Sequence, residues 1–100
     1  MNISERLARE AYDRLNPWRA MADAKPDGTI CELLFNDMAG EFETALRYFL
    51  DRDGRWFRID PPAQIYTPPM NWRPAVAKLT PERRLYLKRQ AYRRDLNEAR

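Results

Sequence analysis

The sequence predicts an α+β protein: a three-stranded antiparallel sheet packed against an N-terminal kinked helix and a C-terminal basic helix, joined by a proline-rich strap. Three observations carry that expectation. Helix-start patterns stand near residues 2–5 and at Thr80-Pro81-Glu82. An Asp53-Gly54 pair divides two strand-like runs. Five prolines fall within residues 61–74.

The first helix is expected to start at an Asn2 or Ser4 cap with Glu5 in its first turn, and to turn Ile3, Leu7, Ala8, Ala11, Tyr12 and Leu15 toward a core. Asn16-Pro17 then reads as a cap and first position of a second helical segment, Trp18 to Ala24, so that the helix kinks and restarts. Lys25-Pro26-Asp27-Gly28 ends it as a turn.

Thr29 to Phe35 is apolar and bounded by turn residues, which predicts a strand, and Asp37 to Glu41 reads as a connector. The runs Ala45–Asp51 and Trp56–Asp60 then predict a hairpin. A two-residue type I′ turn at Asp53-Gly54 would set Leu50 opposite Phe57 and Tyr48 opposite Ile59 on the core side, with Arg58 facing Phe49 on the other. Pro61 to Pro74 cannot be a helix or a central strand, so it is read as an extended strap anchored by Ile65, Tyr66, Met70 and Trp72. The last helix runs from the Thr80 cap to about residue 97. Its apolar stripe, Leu85, Tyr92, Leu96 and Ala99, is assigned to the core, with Arg89 and Arg93 on one flank and Arg84 and Lys88 on the other.

The 100 residues are read as a single domain with one modest core. Apolar residues make up 44% and charged residues 33% of the chain, too apolar for disorder and too charged for a membrane protein. No apolar run exceeds three residues, and Glu5, Arg6, Arg9 and Glu10 stand where a signal peptide would be apolar. With Cys31 the lone cysteine, a reducing cytoplasm is the expected location.

The residue inventory also bounds the chemistry. Without histidine, neither a Ser-His-Asp nor a Cys-His arrangement can form, and the commonest transition-metal ligand is missing. Glycine occurs only at positions 28, 40 and 54, so no phosphate-cradling loop exists. Carboxylates come close in sequence at Asp37, Glu41 and Glu43 and at Asp51 and Asp53, in a connector and a hairpin tip where nothing would raise a pKa. Cys31 inside an apolar strand reads as an inert hydrophobe. No catalytic residue, cofactor or metal site is expected, and the function is read as binding.

Charge suggests where binding occurs. The balance is +1 over residues 1–25, −4 over residues 26–70 and +6 over residues 71–100, within a net charge of +3. Arg84, Lys88, Arg89, Arg93 and Arg94 interleave with Tyr86 and Tyr92, and with Trp72 on the strap they form the candidate partner-binding set. The bland alternative is a docked helix whose basic back is solvated and pairs with the acidic middle of the chain. If that holds, the interface belongs on Asp37, Glu41, Glu43 and Asp51 or near Trp72.

The strings Asp27-Gly-Thr-Ile-Cys-Glu-Leu-Leu-Phe-Asn-Asp-Met, Asp53-Gly-Arg-Trp-Phe-Arg-Ile-Asp-Pro-Pro and Asn71-Trp-Arg-Pro resemble the core of small phage- and prophage-encoded accessory proteins. The resemblance covers roughly the middle half of the chain and transfers no catalytic residue. It implies a setting: such proteins act by binding and blocking a host machine, anti-CRISPR inhibitors among them. The expected partner is therefore a host protein or ribonucleoprotein, with direct nucleic-acid binding through residues 83–94 as the alternative.

Overall fold

A computed structural model describes residues 2–37, 40–43 and 46–98; the side chains of residues 37, 40–43, 76, 77 and 98 lie outside the described set. In chain order the elements are α1 (Ile3–Leu15), β1 (Arg19–Ala20), a 3-10 turn (Met21–Asp23), β2 (Thr29–Asp37), β3 (Gly40–Glu43), β4 (Tyr48–Leu50), β5 (Trp56–Arg58), β6 (Ala63–Ile65), β7 (Asn71–Lys78) and α2 (Pro81–Glu98). The α+β class is as expected, but the sheet is larger than three strands. Six strands lie in the order β1-β7-β2-β4-β5-β6, and β3 pairs with β2 as a seventh. All pairings are antiparallel.

Alternation along β2 sorts the two faces. Cys31, Leu33 and Phe35 point to one side and join Tyr48, Trp56 and Trp72 in a buried cluster completed by Met21, Ala24, Leu50 and Ile65. Glu32 points to the other side, where Phe49 and Phe57 pack under Leu87 and Ala91 of α2. The two phenylalanine rings stack with centroids 5.4 Å apart. Burying each such ring contributes roughly 1.5–3 kcal/mol.

The hairpin forms with a different register. Asp51 N–H donates to Arg55 O and Gly54 N–H to Asp51 O, so the loop is the three residues Arg52, Asp53 and Gly54. Gly54 alone in the loop has a positive φ, +79°. A three-residue loop built on a type I turn with a left-handed glycine spares Asp53 the positive φ of a type I′ turn. The slip of one residue turns β4 over relative to β5. Phe49 now faces Phe57, Leu50 faces Trp56, and Tyr48 faces Arg58. Arg58 therefore shares a face with Tyr48, and its Nε donates to Pro61 O at 2.9 Å.

Three other expectations are corrected. The helical restart after Pro17 does not form: α1 ends at the Asn16 cap, and the chain continues as β1 and a 3-10 turn, so the N-terminal helix is not kinked. The Asp37–Glu41 segment is no plain connector, since β2 runs to Asp37 and pairs with β3 from Gly40 onward. The proline strap holds two strands, β6 and β7, and β7 lies between β1 and β2 despite Pro74. The Pro74 carbonyl accepts from Asn16 Nδ2 at 3.0 Å. Its missing N–H thus lies on the outer side of β7, beyond the point where β1 pairing has ended.

The helix caps are as expected. Asn2 and Glu5 form a reciprocal capping box, and Thr80 Oγ1 accepts from Arg83 N–H at 3.1 Å. Two glycines show where backbone freedom is required. Gly28, at φ +86°, accepts at its carbonyl oxygen from Leu79 N–H at 2.7 Å, and a Cβ there would stand 2.6 Å from Leu79 O. Around Gly54 a Cβ would meet nothing within 4 Å. Gly54→Ala is expected to cost about 1–2 kcal/mol from the left-handed backbone alone. Gly28→Ala adds a backbone collision and should cost more, an order that urea denaturation of the two variants measures.

Candidate functional site

Helix α2 has two unlike faces, and the one that docks is not its apolar stripe. Leu87 and Ala91 are buried against Phe49 and Phe57. Leu85, Tyr92 and Leu96, the stripe assigned to the core from sequence, are 48%, 66% and 49% exposed. At 100° per residue they sit about 140° around the helix from the docked side. Ala99, the fourth residue of that stripe, lies outside the described residues. A shallow depression of about 290 Å3 is lined by Leu85, Lys88, Arg89, Tyr92 and Arg93.

The five basic residues separate accordingly. Arg84 is half-buried and packs near Gly28, with Nη1 donating to Pro26 O at 3.4 Å and Nε buried without a hydrogen bond. Lys88 Nζ sits 2.8 Å from Asp51 Oδ2. Those two hold α2 to the sheet. Arg89, Arg93 and Arg94 are exposed. Arg89 and Arg93 lie one turn apart beside the Leu85–Tyr92–Leu96 stripe. Asp95, next to Arg94, accepts from the exposed Tyr66 hydroxyl at 2.7 Å.

Trp72 is not on the surface. It is a buried residue of β7, its indole N–H donating to Ala20 O at 3.0 Å and its ring covered by the Arg19 guanidinium at 5.3 Å. Asp51 is not solvated either. Burial pushes its carboxyl up, but the Lys88 ion pair, the Arg52 N–H and the charges of Lys88 and Arg84 overrule that and hold it below its ordinary 3.8. The side chains of Asp37, Glu41 and Glu43 lie outside the described residues.

A second charged centre went unnoticed in the sequence. Glu32 and Arg73, 2% and 1% exposed, are paired across β2 and β7, with Arg73 Nε donating to Glu32 Oε2 at 2.8 Å. The Tyr12 hydroxyl donates to Glu32 Oε1 at 2.8 Å, and Arg47 Nη2 lies 3.3 Å from the same oxygen. Arg73 Nη1 donates to Asp13 Oδ1 at 3.0 Å, and the guanidinium lies 4.9 Å from the Tyr12 ring and 4.2 Å from the Trp18 ring. Burial raises the Glu32 carboxyl, yet the Tyr12 and Arg73 hydrogen bonds and the Arg73 and Arg47 charges bring it below its ordinary 4.5. The signal was present: an acid inside Cys31–Phe35 and an arginine between Trp72 and Pro74 must be partnered if those strands are buried. With both charges consumed by protein groups, the centre works as a clamp for α1.

Cys31 is buried, and desolvation, with the Asp27 charge adding to it, pushes its thiol up to about 12. It is a neutral thiol at physiological pH. Among the described residues, no group of three or more His, Cys, Asp or Glu is placed to hold a metal ion, and no helix is long and apolar enough to cross a membrane. No family model, curated protein or solved structure matches the chain.

Two outcomes follow from the clamp. Arg73→Ala leaves Glu32 buried and uncompensated and should cost about 3–5 kcal/mol in urea denaturation. The double variant Glu32→Leu with Arg73→Met should regain most of that loss. Glu32 and Asp51 both titrate lower in the folded chain, so the stability they give is complete above 4.5 and 3.8 and is lost as pH falls through the folded values. The urea midpoint should therefore fall on acidification below those values, and less steeply in Glu32→Gln.

Proposed function

We propose that the chain is a non-enzymatic binding protein of the phage accessory type, acting in the cytoplasm by occupying a host protein or ribonucleoprotein through the outward face of α2. One observation carries the reading: Leu85, Tyr92 and Leu96 form an exposed stripe bordered by Arg89 and Arg93, while Leu87 and Ala91 of the same helix do the docking. Exposed apolar side chains arranged in a line beside arginines are the composition that interfaces favour. The non-enzymatic part rests on the missing histidines, the neutral buried thiol and the consumption of the buried Glu32 and Arg73 by each other.

Nucleic-acid binding through residues 83–94 is the second reading, and the geometry weakens it. With Arg84 turned inward and Lys88 on Asp51, fewer cations remain to neutralise phosphates than the sequence suggests. Trp72 leaves the candidate set because its indole is spent inside the fold.

The test pairs a double variant of the outward face with a single variant of the docked face. Leu85→Ser with Leu96→Ser alters only the outward face and is expected to melt within a few degrees of the parent while losing capture of, or inhibition of, the host target. Leu87→Ala empties the docked face, costs about 2–5 kcal/mol and loses function only as it loses structure. Full association by a well-folded Leu85→Ser/Leu96→Ser chain would remove α2 from the proposal.

A further inference from the structure

Resting on the reading of α2 as the binding face, we infer that its occupant is an acidic amphipathic helix of a partner protein. The first reason is spacing. Leu85, Arg89, Tyr92, Arg93 and Leu96 fall at i, i+4, i+7, i+8 and i+11 on the side of α2 away from the sheet. The line they form is about 16 Å long, three helical turns, and straight enough to accept the ridge of a second helix. The depression between Leu85, Lys88, Arg89, Tyr92 and Arg93 is the hole into which one large apolar side chain of that helix inserts.

The second reason is charge. From Leu85 to Leu96 the described side chains along this face are apolar or cationic. Glu82 belongs to the first turn, and Asp95 is engaged by Tyr66. A partner bearing Leu or Ile on one side and carboxylates on the flank would bury the stripe and set its acids on Arg89 and Arg93, where guanidinium groups bind carboxylates through two parallel hydrogen bonds.

A phosphate backbone fits this face less well. It would meet the arginines but leave Leu85 and Leu96 against a charged, hydrated strand, with no apolar surface to remove them from water. Lys88, on the opposite flank of the stripe, is already paired with Asp51. The face is thus one-sided, apolar along its middle and cationic along one edge.

The experiment is a fluorescence-anisotropy titration of the full chain against labelled synthetic probes of about 18 residues, five turns of helix. The first carries leucines on one face and glutamates elsewhere; the second replaces glutamate by lysine; the third keeps the composition of the first but scatters its leucines. Single-stranded and duplex DNA of similar length complete the set. Binding of the first probe alone is expected. Arg89→Glu with Arg93→Glu should weaken it at least about tenfold, and Arg89→Lys with Arg93→Lys should restore part of the loss. Circular dichroism melting of each variant separates lost binding from lost structure.

Equal binding of the scattered probe would overturn the inference, since charge alone would then suffice, and tighter binding of DNA would assign the face to nucleic acid. If Leu85→Ser with Leu96→Ser abolishes host association while the acidic amphipathic probe does not bind, this occupant falls and the face stands. If the probe binds but host association survives that substitution, the assignment of function to α2 falls instead.

Discussion

The ion pair between Glu32 and Arg73 is the constraint on which the rest of the arrangement depends. It joins the two longest strands at the middle of the sheet and reaches Tyr12, Asp13 and Trp18 on the segment that crosses above them. Charges this deeply buried persist only when every lone pair and N–H finds a partner. That requirement explains why α1 lies where it does: its polar residues are drawn to the guanidinium. The apolar residues Ile3, Leu7 and Leu15 are left in solvent, and no residue of α1 is buried. The helix is docked by its hydrogen bonds.

The same inversion recurs in α2, by another route. Lys88 and Arg84 turn toward Asp51 and Pro26, and between them Leu87 meets the stacked phenylalanines. A helix rotated to satisfy those contacts cannot also bury Leu85 and Leu96. The hairpin register and the helix orientation are therefore one choice. With Phe49 facing Phe57 on the helix side, the sheet offers α2 a patch that a leucine and an alanine can fill.

These two inversions mark where sequence reasoning reached its limit. The helix caps, the extent of α2, the strand through Thr29–Phe35 and the existence of the hairpin were legible, because each is a local signal with a local cause. Register was not, since a type I turn with a left-handed glycine and a type I′ turn both favour Asp-Gly. Strand β7 was hidden by Pro74, a residue that a strand tolerates only at an unpaired outer side, and that condition is set by where β1 stops. Periodicity located the stripe of α2 correctly but is silent on whether a stripe faces inward or outward. Only the partner surface decides, and here that surface carries Asp51.

The clamp also orders events in time. Glu32 and Arg73 are 41 residues apart in the chain, so at a synthesis rate of about 5–20 residues per second the acid exists for roughly 2–8 s before its arginine is made. Throughout that interval β2 lacks its long neighbour, and Glu32 has only Tyr12 and, later, Arg47 as partners. The centre of the sheet, where β2 pairs with β7, is complete only once β7 has been made. A buried charge placed early in the chain thus meets its principal counter-charge, 41 residues on, only when the second half of the chain exists.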